Sequence, residues 1–567
     1  MEKSNYFKKN MLLIFIILVS FIVYCYGVYK NTSDIYLHDG INFIENALRM
    51  GVADFKYYGY GHGTLFSMVL FFAYGALFLF EIIFGLIKSK QDFFFQYISN
   101  PKMIFLIAHF VVIFFSAASI VLTYSIGKKI FNNKVGLIAS LLFSLSFINI
   151  QMSSLIKEDT LALSMLLLGC YFAVNILMSD RGPVKLWFIL AGFFMGLAAA
   201  TKYTFIIGFI FIIAVYFLKN IKRSYIFYPI MSLVFGFLCG NPFIIKESSS
   251  FIRGFSSLGP QFYSASLVDN FNQIVFYYWA YFGVIFCLCI LFGTVFALIK
   301  DTRKAIFILS YPAILIIVFL NFSILGYYIL PTVPFFSIIA AYLIYNSLKF
   351  IKNNLFRNLC CILLSVAVIC PSFVNGLKFK TIITAPDSRA LAKAWIENNI
   401  EKDTVVLIEG AVVDLIIFSP QLNSNIEALK REKEKVISEG GVGRIYDRRI
   451  EGSRENQERV CYNIYKTRAM NTDLLNKIKP DIVIMTGAND VIELLSQKEA
   501  NERANAQRIV ARDYKLMKLF YSYPDLSGFP VLFKGDFLKI KNIKLIKNNK
   551  AILAGYNIYI YKRRNLI

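Results

Sequence analysis

Tyr36-Leu37-His38-Asp39-Gly40, a short helical pattern carrying Glu45 and Arg49, and then Lys56-Tyr57-Tyr58-Gly59-Tyr60-Gly61-His62-Gly63 form a polar island between two apolar runs, Met11 to Tyr29 and Thr64 to Ile87. Two of the chain's three histidines stand in it, with carboxylates between them and tyrosines of the kind that collect where water meets lipid. Whether the run from Thr64 crosses a membrane or lies along one decides the side on which every later loop falls.

The 567 residues are 57% hydrophobic with mean hydropathy +0.57, too apolar for a soluble protein, and predict a polytopic α-helical membrane protein embedded in a lipid bilayer. A formal charge of +24 suggests nucleic acid. Up to about residue 370, however, the basic residues sit in short loops between apolar runs, where they serve orientation in the bilayer, and no nucleic-acid partner is expected. Eight of the nine cysteines lie in apolar stretches, leaving only Cys461 in a polar one, so neither a disulfide framework nor a cysteine metal site is predicted. Lys3, Lys8 and Lys9 precede a first run long enough to span, with no small-residue cleavage site after it. This reads as a retained helix with a cytoplasmic amino end.

Further runs fall at about 103 to 126, 135 to 152, 160 to 178, 186 to 200, 203 to 218, 226 to 245, 273 to 299, 305 to 322, 327 to 347 and 357 to 375, twelve in all. If all twelve cross, Lys128, Lys129, Lys134, Arg181, Lys185, Lys219, Lys222, Arg223, Lys300, Arg303 and Lys304 face outward, against the rule that such clusters stay inside. Letting Thr64 to Ile87 lie along or re-enter the outer face returns all of them to the cytoplasm and misplaces only Lys88, Lys90 and Lys102. The expectation is therefore about eleven spans plus an interfacial helix in a plasma-membrane protein, with Asp39 and Asp159 outside. A transmembrane module covers 1–375, and 376–567 form an extracytoplasmic α/β domain. In that domain Asp387 to Asn399 and Asn471 to Ile478 read as helices, and Thr404 to Ile408, Asp481 to Met485 and Ile552 to Tyr561 as strands. The charged stretch Glu427 to Thr467 reads as a mobile loop or a cover.

Four places carry candidate chemistry. Asp39 before Gly40 is a turn or cap signal, or a general base flanked by His38 and Glu45. Lys157-Glu158-Asp159-Thr160 caps the helix that begins near Leu161, but two outer carboxylate clusters at helix ends could together hold a hydroxyl nucleophile, a metal or a cation. Lys202 stands alone in an apolar stretch of more than thirty residues. There an ionisable group either snorkels to the interface or pairs with an anion such as a phosphate. Gly326-Tyr327-Tyr328-Ile329-Leu330-Pro331-Thr332-Val333-Pro334 opens an apolar run with prolines placed where a helix tolerates them.

In this order the four pieces resemble the GT-C superfamily of membrane glycosyltransferases, specifically family 39, which includes protein O-mannosyltransferases and the lipid A aminoarabinose transferase. Leu37-His38-Asp39-Gly40 with Glu45 is similar to the family's first acidic motif, Phe55 to Leu70 to its Tyr-rich segment, and Lys157-Glu158-Asp159 to its second acidic motif. Gly196-Leu197-Ala198-Ala199-Ala200-Thr201-Lys202-Tyr203 is similar to a Gly-Leu-Ala…Thr-Lys segment, and Tyr328-Ile329-Leu330-Pro331 with Pro334 to a Tyr-x-Leu-Pro-x-x-Pro element. Asp387-Ser388-Arg389 to Trp395-Ile396 resembles the helix that opens the extracytoplasmic domain of many bacterial members. Gly40 stands where the family has a second acidic residue, and Tyr327 where it often has arginine.

The resemblance implies an inverting transfer of a sugar from a polyprenyl-phosphate carrier to an acceptor glycan, lipid or protein on the outer face. It implies Asp39 as base and Asp159 as second catalytic carboxylate. Lys202, His62, Lys157 and Tyr328 fall on the donor-phosphate side, and His38, Glu45 and Glu158 around the acceptor. No cofactor is certain; a divalent metal, if the site takes one, falls to Asp39 and Asp159. The reading from another class is a transporter or flippase of a lipid-linked glycan. That should carry charges deep in several helices, whereas here they collect at helix ends. A membrane-anchored adhesion or sensor protein would not need eleven spans.

Overall fold

The computed structural model describes residues 2–28, 38–52, 60–99, 101–179, 182–256, 266–321, 325–384, 387–412, 415–416, 422–438, 444–455, 460–467, 469–486, 497–520 and 558–564. The chain divides into two compact units, one of Met1–Tyr29, Asp39–Leu86 and Met103–Lys380, the other of Lys30–His38, Ile87–Lys102 and Thr381–Ile567.

The helices up to the second acidic motif are α1 (Glu2–Cys25), α2 (His38–Val52), α3 (Leu65–Ile83), α4 (Lys90–Ser99), α5 (Lys102–Ile130), α6 (Asn133–Ser144) and the short α7 (Phe147–Met152). After it come α8 (Asp159–Met178), α9 (Val184–Thr201), a 3-10 segment Tyr203–Phe209 leading into α10 (Ile210–Lys219), α11 (Phe227–Gly240) and α12 (Ser248–Ser256). Then follow α13 (Leu267–Phe282), α14 (Val284–Lys300), α15 (Thr302–Phe319), a second 3-10 segment Gly326–Thr332 leading into α16 (Val333–Ser347), and α17 (Asn354–Ile383).

Among the described residues seven helices are long and apolar enough to cross a membrane, or eight if the bent pair α13 and α14 counts as one span. Met11–Cys25, Asn133–Ser144, Tyr203–Lys219 and Ser224–Gly240 are shorter apolar helices. The protein is thus a multi-pass helical membrane protein. One detail differs from the sequence expectation. The run from 273 to 299 is two helices bent by 114°, because Gly283 turns the chain at φ +81, a conformation side chains rarely adopt, and packs against Pro371. The run from Thr64 forms one continuous helix, α3, of spanning length.

The packing of α9 on α11 positions the site. Gly192 and Gly196, one turn apart on α9, lie so close to α11 that a Cβ on either would come within 2.2 Å of the Pro229 or Leu233 carbonyl oxygen. Gly236 answers from α11 against the Phe193 carbonyl at 2.3 Å, and Gly240 against Ala200. This is the small-xxx-small contact by which membrane helices approach without side chains between them. It carries the end of α9 to the end of α11, and there α9 breaks: Lys202 is extended, at φ −146 and ψ 116.

The second unit contains a five-stranded sheet in the order β4-β1-β5-β7-β6, from β1 (Val405–Glu409), β4 (Asn463–Thr467), β5 (Ile482–Thr486), β6 (Tyr514–Phe520) and β7 (Ile558–Arg563). A separate antiparallel pair joins β2 (Ala411–Val412) to β3 (Leu415–Ile416). β1 pairs in parallel with β4 and β5, and β7 antiparallel with β5 and β6. The helices are α18 (Ser388–Asn399), α19 (Ile426–Ser438), α20 (Arg444–Glu455), α21 (Thr472–Ile478) and α22 (Gln497–Asp513). Asp387 and Asn471, the first residues of the two predicted helices, cap α18 and α21, each accepting from a backbone N–H of the first turn. One face of the sheet buries Val406, Ile408, Ile464, Ile482 and Ile484 with Ala392 and Ile396, and the other Leu407, Val483 and Met485 with Val510.

Among the described residues of Glu427 to Thr467 the chain is largely regular and not a mobile loop. It holds α19, α20 and the edge strand β4, with Leu429, Tyr446 and Ile450 as a small core of their own. An edge strand paired on one side keeps a polar sequence, and helices with a narrow apolar stripe read as charged.

Candidate functional site

Residues 157–160 reach the site at the amino end of α8, where Glu158 is the cap and Asp159 the first helical residue. Two carboxylates there meet the positive end of the helix dipole, but both are fully buried, and burial of an ionised carboxylate is costly unless it is paired. Lys202, delivered by the break after α9, supplies the pair: its Nζ donates to Oδ1 of Asp159 at 2.7 Å and stands 3.7 Å from Oε1 of Glu158. His62 completes the group, with Nδ1 3.2 Å from the same Oε1, so that an N–H on that nitrogen donates to the carboxylate. Burial alone would push the Glu158 carboxyl up, yet Lys202 and His62 hold it below the usual carboxylate range. Burial likewise opposes the charge of Lys202, and Asp159 with Glu158 outweighs it, holding the ammonium above the usual lysine range.

Under the ammonium lie the stacked rings of Tyr327 and Tyr328, 4.8 Å apart between centroids. Lys202 Nζ is 5.0 Å from the first centroid and 4.7 Å from the second, and Lys157 Nζ is 4.3 Å from that of Tyr327. Tyr327, a departure from the family pattern, is therefore an aromatic seat for two lysines, a cation–π arrangement.

The loop bearing His62 is locked to the end of α9. A Cβ on Gly63 would fall 1.9 Å from the Ala200 carbonyl oxygen, so only glycine fits. Thr64 N donates to Asn241 Oδ1 at 2.8 Å, and Thr64 Oγ1 to the Gly240 carbonyl at 2.6 Å. Tyr60 OH donates to Glu247 at 3.0 Å, and Tyr203 OH lies 3.2 Å from the carbonyl oxygens of both Tyr60 and His62.

The first acidic motif approaches through its backbone. α2 begins at His38, and Gly40 packs so closely on Ile156 that a Cβ would lie 3.2 Å from the Ile156 Cβ. Glycine where the family has an acidic residue thus lets the two acidic motifs come together. The side chains of His38 and Asp39 lie outside the described residues. Glu45 pairs with Arg49 along α2 at 3.2 Å. Of the site residues expected from sequence, the structure brings together His62, Lys157, Glu158, Asp159, Lys202 and Tyr328. It adds Tyr327, marked in the sequence as a departure from the family's arginine, and Tyr203, whose sequence signal is adjacency to Lys202.

Glu158 Oε2, Asp159 Oδ2 and Thr160 Oγ1 are buried without a hydrogen-bond partner among the described residues. Buried polar atoms are ordinarily paired, so three neighbouring orphans mark a place that a ligand can satisfy. Among the described residues no group of three His, Cys, Asp or Glu side chains converges as metal ligands do, and a lysine stands between the two carboxylates.

Comparison with known proteins bears on the sequence of part of the chain and on its fold. Residues 98–245, which include the second acidic motif and Lys202, match the dolichyl-phosphate-mannose-protein mannosyltransferase family. A search of curated proteins finds no match. ArnT from Cupriavidus metallidurans, solved with bound undecaprenyl phosphate, superposes with a TM-score of 0.50 at 12% identity, covering 90% of this chain and 96% of its own. The apo oligosaccharyltransferase of Archaeoglobus fulgidus gives 0.52 at 10% identity, covering 98% and 89%. The apo form of ArnT gives 0.52 at 13%, covering 87% and 95%. The chain is a membrane protein with the GT-C glycosyltransferase fold. Within that class, its residues 98–245 carry the sequence pattern of the dolichyl-phosphate-mannose-protein mannosyltransferases.

Proposed function

We propose that the protein is an inverting glycosyltransferase that moves a sugar from a polyprenyl-phosphate carrier to an acceptor hydroxyl at the outer face of the plasma membrane. The observation that carries this reading is the cluster of His62, Glu158, Asp159 and Lys202, with buried orphan acceptor atoms, at the ends of helices whose sequence matches a lipid-phosphate-sugar-dependent family. A transferase using such a donor needs cations beside the leaving phosphate and a carboxylate beside the attacking hydroxyl. Lys157 and Lys202, seated on Tyr327, are the phosphate side. Asp39, one residue before the Gly40 contact with Ile156, is the base. The acceptor oxygen attacks the anomeric carbon and gives its proton to Asp39. The bond from that carbon to the phosphate oxygen breaks, and its electron pair leaves on the phosphate. Asp159 and Glu158 present their free oxygens to sugar or acceptor hydroxyls. That a solved protein of this fold holds undecaprenyl phosphate supports a polyprenyl carrier.

The test uses the full chain in nanodiscs with a polyprenyl-phosphate-linked sugar and a pool of acceptors, reading released polyprenyl phosphate and labelled product. Asp39→Asn keeps the shape but removes the proton acceptor, so donor binding should survive while turnover falls on the order of 100- to 10,000-fold. Turnover within about tenfold of the parent, a difference of 1.36 kcal/mol, would make Asp39 a helix cap and move the role to Glu45 or Asp159. Donor binding with no sugar release by the parent would sink the transferase reading itself.

A further inference from the structure

The hydrogen bonds around Tyr203 close a circuit. Because Lys202 is extended, successive side chains leave the chain in different directions: Lys202 reaches Asp159 and Glu158, while Tyr203 reaches the His62 loop. The phenol oxygen is 3.2 Å from the Tyr60 carbonyl and 3.2 Å from that of His62, so its one proton is shared between them. The His62 ring meets Glu158 Oε1, the oxygen that also faces Lys202, and Lys202 is bonded in sequence to Tyr203. The ring of Tyr203 packs edge-on against Phe251 and Phe255 of α12, at 6.0 and 5.4 Å between centroids. Tyr60 closes the same contact from the loop: its ring lies 5.9 Å from Phe251, and Gly254 packs on it where a Cβ would come within 2.7 Å of its Cβ. Tyr203 therefore joins α12, the break after α9 and the histidine loop at one point.

We propose that Tyr203 is a positioning residue: its hydroxyl fixes the His62 backbone so that the imidazole stays on Glu158, and through Tyr203 the seating of α12 is transmitted to the carboxylate cluster. The inference rests on the site proposed above only in assigning His62 a part in turnover; the positioning itself is a statement about His62. Tyr203→Phe keeps the ring and its aromatic contacts and deletes the one O–H.

The primary test is carbethoxylation of histidine with diethyl pyrocarbonate, followed peptide by peptide on the full chain in nanodiscs. The His62 side chain is 42% exposed and should react, whereas His109 is fully buried and serves as the internal standard. With Tyr203→Phe, His62 should label roughly 2- to 10-fold faster, the change in released population that one lost hydrogen bond produces, with His109 unchanged. Glu158→Gln opens the circuit from its other side and should raise the His62 rate as well, and the double variant should label no faster than the quicker single. An unchanged His62 rate in both variants, simple multiplication of their effects, or a rise at His109 in parallel would overturn the proposal.

Turnover is the second reading. Tyr203→Phe should lower kcat by about 10- to 100-fold, the effect of a misplaced group, with KM for the lipid donor nearly constant. In a His62→Gln background it should have no further effect. Faster His62 labelling with full turnover would uphold the positioning and remove His62 from the proposed chemistry, so the two ideas fail separately.

Discussion

At the scale of single residues, the decisive quantity is the balance of buried charge. The sequence leaves Lys202 either snorkelling or paired with an anion such as a phosphate, and the structure pairs it with two carboxylates, both in the second acidic motif. Removing one member of a buried ion pair typically costs about 3–5 kcal/mol because the other is left uncompensated. Lys202→Met should therefore lower the thermal unfolding midpoint in detergent markedly, and adding Asp159→Asn should restore most of the loss. A single variant as stable as the parent would show the carboxylates to be solvated. The sign of the Glu158 shift fixes a second expectation. Its folded carboxyl is held low, so its stabilisation is fully present above the unfolded value of about 4.5 and is lost as pH falls through the lower folded value. The stability gap between the parent and Glu158→Gln should be flat from neutral pH down to that point and narrow below it. A gap that narrows already near neutrality would place the titrating group elsewhere.

At the scale of elements, glycine separates what is tightly placed from what only fills a helix. Gly63 lies on the carbonyl of Ala200, where a methyl group would stand 1.9 Å from backbone that cannot yield. Gly63→Ala should cost about 1–3 kcal/mol, the range for overpacking, and should displace His62, which turnover would register. Gly75, inside α3, has open space where its Cβ would be. Gly75→Ala should be neutral or stabilising by about 0.5–1 kcal/mol, the ordinary helix preference. Equal effects of the two in calorimetry would mean that the loop is not clamped to α9. The same comparison shows what sequence could reveal. The four motifs were legible because each puts polar residues at the edge of an apolar run, and charge there stands out. The roles of Tyr327 and Tyr203 as a cation seat and a tether were not, since an aromatic residue in an aromatic-rich membrane protein carries no contrast. The bend at Gly283 was hidden because hydropathy is blind to a positive φ, and α19, α20 and β4 because a small exposed layer needs few apolar residues.

At the scale of the whole molecule, the question is which way the chain runs through the bilayer, and helix directions bear on it. α5 runs parallel to α8: Ser119 meets Ser164 at 2.9 Å, and ten residues on Lys129 donates to Asn175. α8 has 20 residues and carries Asp159 at one end and Asn175 near the other, ends separated by about 30 Å at 1.5 Å per residue. The end that holds Asn175 gathers Lys129, Lys134 and Lys219, the last donating to the Ser179 carbonyl, while Lys304 sits 5.6 Å from the Phe131 ring just past the end of α5. The site lies at the opposite end, and α3 begins there, since Thr64 is bonded to Gly240 and Asn241. α5, parallel to α8, begins toward the site end too. Among the described residues between Ile83 and Lys102 the one helix is α4, whose 10 residues, about 15 Å, are too short to cross a bilayer. α3 has spanning length, so the charge distribution and the helix length make opposite predictions for the side on which the chain re-enters, and the lysine clusters favour a return on the side it left. In intact cells, an impermeant thiol reagent should modify a cysteine introduced at Lys90 and the native Cys461, but not one at Lys129 or Lys222 until the membrane is opened. Modification at Lys129 from outside would invert the molecule, placing the carboxylate cluster in the cytoplasm and with it any transfer the site performs.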